Sequence, residues 1–264
     1  MVIGIDGCPS GWAAVLADGV NYEVKLIDTA DIEQLTELFT LADSVCIDMP
    51  IGLAGRGCPY GHDPMSAPLE SRLCDREARR MLSELGGNSS SVFGVARREG
   101  IYAADYASAC AIQRALSGNA FSIQSWNITP KIRTLDRLFH EAPALSQRVF
   151  EAHPELSFAV YAGGRRLGHK RSDEGRSQRL TVLAEMLPNF SAAFEPELVR
   201  ALARWRRRQV AADDILDAAV LCAQAMQPAG PGARILPDSG AQTDVCGLPV
   251  RIAAPVITKV RISR

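Results

Sequence analysis

Acidic side chains that directly follow apolar runs recur along this 264-residue chain, and they are the residues best placed to do chemistry. Val2-Ile3-Gly4-Ile5 runs into Asp6, Ser44-Val45-Cys46-Ile47 into Asp48, and Arg148-Val149-Phe150 into Glu151. Short apolar runs of this kind read as buried strands, and α/β sheets bind ligands outside the carboxyl ends of their strands. If those strands are neighbours, the three acids converge. A further contribution comes from Asp213-Asp214-Ile215-Leu216-Asp217. Residues three or four apart share a helix face, so Asp217 acts with Asp214 or with Asp213, while Ile215, Ala219, Cys222 and Met226 form the opposing apolar stripe. Carboxylates gathered in one place resist ionisation until a cation neutralises them. Hard oxygen ligands in this number suit Mg2+ or Mn2+, and paired ions of that kind clamp a phosphodiester for in-line hydrolysis. The bland alternative is that each acid caps a turn or a helix. It fits Asp6 least, because Ile5-Asp6-Gly7 offers no helix to cap.

The elements that must position these acids are readable in part. Val2 to Asp6 is a strand followed by the turn Gly7-Cys8-Pro9-Ser10-Gly11. Trp12 to Ala17 is a second strand, Asp18-Gly19 signals a hairpin, and Tyr22 to Ile27 alternates as a third. A helix is expected over Ile32 to Leu41, with Asp31 near its cap, and Ser44 to Ile47 is a fourth strand. Hairpin-linked strands followed by a helix and another strand predict a mixed sheet. From Met49 to about Asn127 regularity drops, with a long glycine- and proline-rich loop, a helix over Glu70 to Leu85, and the run Gly86-Gly87-Asn88-Ser89-Ser90-Ser91. We read 52–127 as an insertion or lid on a single domain that occupies 1–264. A helix is expected to start just after Thr129-Pro130, a strand to cover Arg148 to Glu151, and helices to follow over Ser177 to Met186, Pro196 to Val210 and Ala212 to Met226. Pro228 to Gly232 reads as a linker. The tail from Leu248 to Ile262 holds Pro249 and Pro255, so it is expected to give at most an edge strand.

Composition bounds the rest. Hydrophobic residues make up 47% of the chain and charged ones 22%, enough for one large core and against general disorder. The formal net charge of -1 provides no global field for nucleic acid, so such contact requires a local patch. Candidate patches are Arg97-Arg98, Lys170-Arg171, and Arg204 with Arg206, Arg207 and Arg208; the simpler reading of each is a solvated face. The 7 cysteines are odd in number, scattered and without a CxxC pair, which fits neither a disulfide scaffold nor a structural zinc site. Cys46 and Cys222 sit in apolar runs and read as core. No apolar stretch is long enough to span a bilayer, and a cytoplasmic setting is expected.

Five segments together resemble the DUF429 family, described as predicted nucleases with a ribonuclease H-like fold. They are Gly4-Ile5-Asp6-Gly7-Cys8-Pro9-Ser10-Gly11-Trp12, Ile47-Asp48-Met49-Pro50-Ile51-Gly52-Leu53, Arg72-Leu73-Cys74-Asp75-Arg76-Glu77-Ala78-Arg79, Val149-Phe150-Glu151-Ala152-His153-Pro154-Glu155, and Ala212-Asp213-Asp214-Ile215-Leu216-Asp217-Ala218-Ala219. The resemblance implies an α/β, ribonuclease H-like mixed-sheet core with helices on both faces. It implies catalytic roles for Asp6 on the first strand, Asp48 at the fourth, and Asp214 and Asp217 on the last core helix, these four being the metal ligands. Glu151 assists as a ligand or positions water, and Glu155 is a further family position. Asp48, in an Asp-Met-Pro turn, departs from the glutamate usual in Holliday-junction resolvases. Around the acids, His153 either activates water, orients a phosphate, or is a satisfied histidine beside Pro154. His169-Lys170-Arg171-Ser172-Asp173 and Arg176 read either as a phosphate-facing patch or as an exposed loop. Cys74, Asp75 and Arg76 carry no mechanism that the sequence supplies. Trp12 reads as core, and Trp126 and Trp205 as core or stacking surfaces.

The favoured expectation is a divalent-metal-dependent phosphodiester hydrolase acting on nucleic acid or a nucleotide. A phosphotransferase or ATPase of the actin and sugar-kinase type is a second expectation, weakened by a single visible core and the lack of a GxxxxGK[ST] loop. A non-catalytic domain that binds nucleic acid or protein is a third.

Overall fold

The computed structural model describes residues 1–60, 65–118, 121–227 and 234–256. The expected Pro228–Gly232 linker and the end of the tail lie outside them. A seven-stranded mixed sheet carries helices on both faces, in the order β3-β2-β1-β4-β5-β9-β6. Its first three strands, β1 (Val2–Cys8), β2 (Gly11–Asp18) and β3 (Asn21–Asp28), form an antiparallel meander. Gly19, at a φ of 64°, makes the predicted hairpin turn. The expected helix follows as α1 (Ile32–Leu41), capped by Asp31, whose carboxylate accepts the Gln34 N–H at 2.9 Å. β4 (Ser44–Ile47) then returns parallel to β1, and β5 (Val149–Ala152) parallel to β4. The strands that carry Asp6 and Glu151 are therefore both neighbours of the strand that Asp48 follows, and β1 runs two residues past Asp6, so that the expected turn over Gly7 to Gly11 narrows to Pro9 and Ser10.

Alternation along β1 decides which face each residue serves. Ile3 and Ile5 join the core formed with Leu35, Leu38 and Phe39 of α1 and with Ile132, Leu135 and Phe139 of α5 (Ile123–Glu141). Gly4 and Asp6 point the other way, towards α9 (Ala212–Ala225). A Cβ on Gly4 would stand 2.0 Å from the Ala218 carbonyl oxygen and 2.1 Å from the Cys222 nitrogen, so only glycine lets this helix lie so close to the strand. From Ile215 to Ala225 every residue of α9 is buried, beyond the single stripe expected. The sheet covers one side, and α6 (Pro154–Tyr161) and α7 (Asp173–Met186) cover others.

The 52–127 region is built into the molecule. Leu53, Ala96, Ile101, Ala109 and Phe121 belong to the same buried cluster as α1 and α5. Its helices are α2 (Leu73–Glu84), α3 (Arg98–Ile101) and α4 (Tyr106–Ser117), and α2 packs on α6 and β9 (Ile252–Ala254). Beyond α7, α8 (Glu195–Arg204) precedes α9, and β6 (Arg234–Leu236), β7 (Gln242–Thr243), β8 (Pro249–Val250) and β9 follow among the described residues.

Four expectations are corrected. The tail forms an interior strand: β9 lies between β5 and β6, and the prolines sit outside its ladder, at Pro249 in β8 and at Pro255. Pro130 does not start a helix but lies inside α5. The carbonyl it cannot reach, that of Trp126, is taken by the Thr129 hydroxyl at 2.6 Å. Arg97 and Arg98 are buried, not solvated, because Arg98 meets Asp136 and Asp244, and Arg97 meets Glu70. Cys58 and Cys246, 188 residues apart, are joined by a disulfide at a Cα–Cα distance of 5.4 Å. Cys46 and Cys222 are fully buried as read, and no helix among the described residues is long and apolar enough to cross a membrane.

Candidate functional site

Asp6 lies at the carboxyl end of β1, only 7% exposed, and its Oδ1 accepts the Gly7 N–H at 2.8 Å. Burial pushes its carboxyl well above the usual carboxylate range, and the carboxylates of Asp48, Asp217 and Asp214 push it further. Those three carboxylates therefore lie near enough to Asp6 for their charges to act on it. Asp48 follows β4 directly, its N–H bound to the Ile5 carbonyl at 2.9 Å, which ties the end of β4 to β1. Asp217 comes from α9, held at this height by the close approach over Gly4. It is buried, and its pKa is pushed up to about 7 by desolvation against the pull of Lys170.

Lys170, on the loop before α7, enters the acidic cluster and places its ammonium 2.6 Å from Asp217 Oδ2. Burial disfavours its charge, but Asp217 outweighs burial and holds the lysine protonated beyond its ordinary range. Asp217 Oδ1 is buried without a hydrogen-bond partner. Asp214 accepts the Ala211 N–H at 2.8 Å and so caps α9, the bland role foreseen for these acids, while burial raises its pKa. Asp213 lies 3.6 Å from Arg171 on the rim.

Glu151 takes a different position from the one expected. One oxygen, Oε2, accepts from Arg72 Nη2 at 2.5 Å and from the Ile51 N–H at 2.8 Å, so Glu151 anchors the turn after Asp48. Its other oxygen has no partner and stands 3.9 Å from His153 Nε2, and His153 Nδ1 lies 3.3 Å from Asp48 Oδ1. Burial would favour neutral His153, but Asp48 and Glu151 overcome this and raise its pKa. A chain of charged groups thus runs Asp75–Arg72–Glu151–His153, all buried, out to the part-exposed Asp48. Arg72 is the residue whose role sequence reasoning missed. It sits in the quoted Arg72–Arg79 segment, but its partner is 79 residues away.

Of the acids, Asp48, Glu155 and Asp217 line a cleft of about 900 Å3, together with His153 and Lys170, while Asp6 lies behind this wall. Arg165 and Arg166 line it as well; their place just ahead of His169-Lys170 was the available signal. Glu155 is held by Arg179 at 2.7 Å. Arg176 is exposed and stands outside the cleft wall; Arg179, one turn on, takes the position proposed for it. Trp12 is core, with Lys131 5.9 Å over its ring; Trp126 meets Tyr106 at a tilt and Phe121 edge-on at the core edge; Arg204 lies over Trp205. Among the described residues, no three His, Cys, Asp or Glu side chains converge closely enough to hold a metal ion as they stand.

A family model described as "Protein of unknown function (DUF429)" matches residues 4–241. The chain belongs to the DUF429 family. The match takes in Asp6, Asp48, Glu151, His153, Lys170 and Asp217, so the whole acidic cluster lies within the DUF429 region. No curated protein and no solved structure matches the chain significantly.

Proposed function

We propose that the cleft of this DUF429 protein hydrolyses phosphodiesters of nucleic acid or nucleotides with a divalent cation, Mg2+ or Mn2+, on a ribonuclease H-like core in a cytoplasmic protein. Support for the core comes from the first five strands, ordered β3-β2-β1-β4-β5, in which β2 alone runs against the rest. The single observation that carries the chemistry is the approach of Asp6 and Asp217, two buried carboxylates that resist ionisation, to Asp48, whose charge acts on Asp6.

The donor chemistry fits a hard cation. The ligands are all carboxylate oxygens, and one of them, Asp217 Oδ1, is buried without a partner. Asp6, Asp48 and Asp217 would hold the ion, with Asp214 behind them at the start of α9. Because the three are not already drawn into a cage, substrate phosphate oxygens complete the coordination. Bound there, a divalent ion supplies charge neutralisation at the phosphate and a more acidic water. His153 fixes the Asp48 carboxylate, and Glu151, clamped by Arg72, fixes the turn at Ile51 and sets a negative charge 3.9 Å from the other His153 nitrogen. Lys170 draws Asp217 towards its charged form against the effect of burial and, with Arg165 and Arg166, offers positive charge to the phosphate in the cleft.

The test is cleavage of end-labelled single-stranded DNA and RNA, and of bis-p-nitrophenyl phosphate, with Mn2+ or Mg2+ or with EDTA. Metal-dependent cleavage that falls by about 100-fold or more in Asp6→Asn, with the thermal midpoint kept within a few degrees, is the expected result. Cleavage indifferent to EDTA and to Asp6→Asn would overturn the proposal.

A further inference from the structure

A second cavity, of about 530 Å3, lies apart from the acidic cleft, between α2, the stretch 94–97, α4 and the start of α5. Three arginines line it. Arg72 is engaged by Asp75 and Glu151. Arg79 is half-buried; its Nε donates to the Val92 carbonyl at 2.6 Å, and among the described residues it forms no ion pair with a carboxylate. Arg97 is the unusual one. Its side chain is 7% exposed, yet only Nη1 is satisfied, by the Glu70 carbonyl and carboxylate, both at 2.9 Å. Nε stands 3.7 Å from Glu99, and neither Nε nor Nη2 has a hydrogen-bond partner. Buried donors left unpaired cost free energy that a bound acceptor restores.

Independent features point the same way. Ser122 and Ser125, at the N-terminus of the 19-residue α5, line the cavity, and the N-terminal end of a long helix favours negative charge. The two carboxylates in the wall do not cancel this. Asp75 is held by Arg72 and by the Val95 N–H at 3.4 Å, and Glu70 points largely to solvent with Arg56 and Arg97 on it. Val95, Leu116 and Phe121 add apolar surface to the lining. We propose that this cavity binds a small anion, a phosphate monoester or a carboxylate attached to an apolar ring, with Arg97 and Arg79 holding the oxyanion at the start of α5.

The site is tested by titration calorimetry in EDTA with phenyl phosphate, benzoate and inorganic phosphate as probes. Saturable binding of phenyl phosphate or benzoate is expected, and the tighter of the two identifies the head group. Affinity should fall by at least about tenfold in Arg97→Gln and in Arg79→Gln and be unchanged in Lys170→Gln, whose lysine belongs to the other cleft. Arg97→Gln removes a buried group that also holds Glu70, so its fold is checked by circular dichroism; half-buried Arg79 carries the test if that variant unfolds. No saturable binding of any probe overturns the proposal. So does binding lost in Lys170→Gln but kept in Arg79→Gln, and equal affinity for phosphate and phenyl phosphate removes the apolar half of it.

Discussion

Asp217 carries two opposed demands in one side chain. Burial asks it to be neutral, and Lys170 at 2.6 Å asks it to be charged. Its folded pKa is raised from 3.8 to about 7, so the protein holds this proton more tightly folded than unfolded. The stability associated with it is present below the ordinary carboxylate value and is lost as pH rises through about 7. In EDTA, urea unfolding should therefore show stability declining across that window, and Asp217→Asn should flatten the decline. An unchanged slope in the variant would contradict the assignment. Arg72 and Glu151 make the complementary case, an ion pair with both side chains 1% exposed. Arg72→Met strands a buried carboxylate and should cost about 3–5 kcal/mol in urea unfolding, while Arg72→Met with Glu151→Leu should recover much of it. At this scale the sequence exposed the acids but not their partners. Asp6 and Asp48 stand at the ends of apolar runs, a local pattern. The role of Glu151 depends on Arg72, and the burial of Arg98 on Asp136 and Asp244, pairs that form only when distant segments meet.

Among the elements, β3 and α1 were legible because their burial is periodic, and β1, β2, β4 and α9 because they are apolar runs bounded by turns or acids nearby in sequence. β9 was hidden because three residues, Ile252–Ala254, give too short a pattern beside two prolines. Pro130 misled because the Thr129 hydroxyl replaces the missing donor one residue away. The contact between α9 and β1 is the one that builds the site, and it depends on Gly4. Gly4→Ala drives a methyl into the Ala218 carbonyl and the Cys222 amide, so the helix must move out. The cost should reach about 1–3 kcal/mol or more in denaturant unfolding, and any folded fraction should bind Mn2+ more weakly, because Asp217 leaves Asp6. Unaltered stability and metal affinity would show that the helix has room to spare.

Over the whole molecule, the Cys58–Cys246 disulfide bridges 188 residues of the 264, tying the loop after Gly52 to the turn between β7 and β8. Cys246→Ser should lower stability by about 2–5 kcal/mol relative to the oxidised protein, and the reduced wild type should match the variant. An odd set of seven scattered cysteines gives no hint of one pair bridging 188 residues, which is why composition pointed the other way. The global architecture places three acids where a sheet's strand ends meet a buried helix, and the account stands on those acids acting together as a cation site. Calorimetric titration of Mn2+ into the wild type and Asp6→Asn, with and without a non-cleavable phosphodiester analogue, tests that most directly. The account predicts binding in the wild type, strengthened by the analogue and absent in Asp6→Asn. Equal binding in both proteins, or none in the wild type even with the analogue, would contradict it.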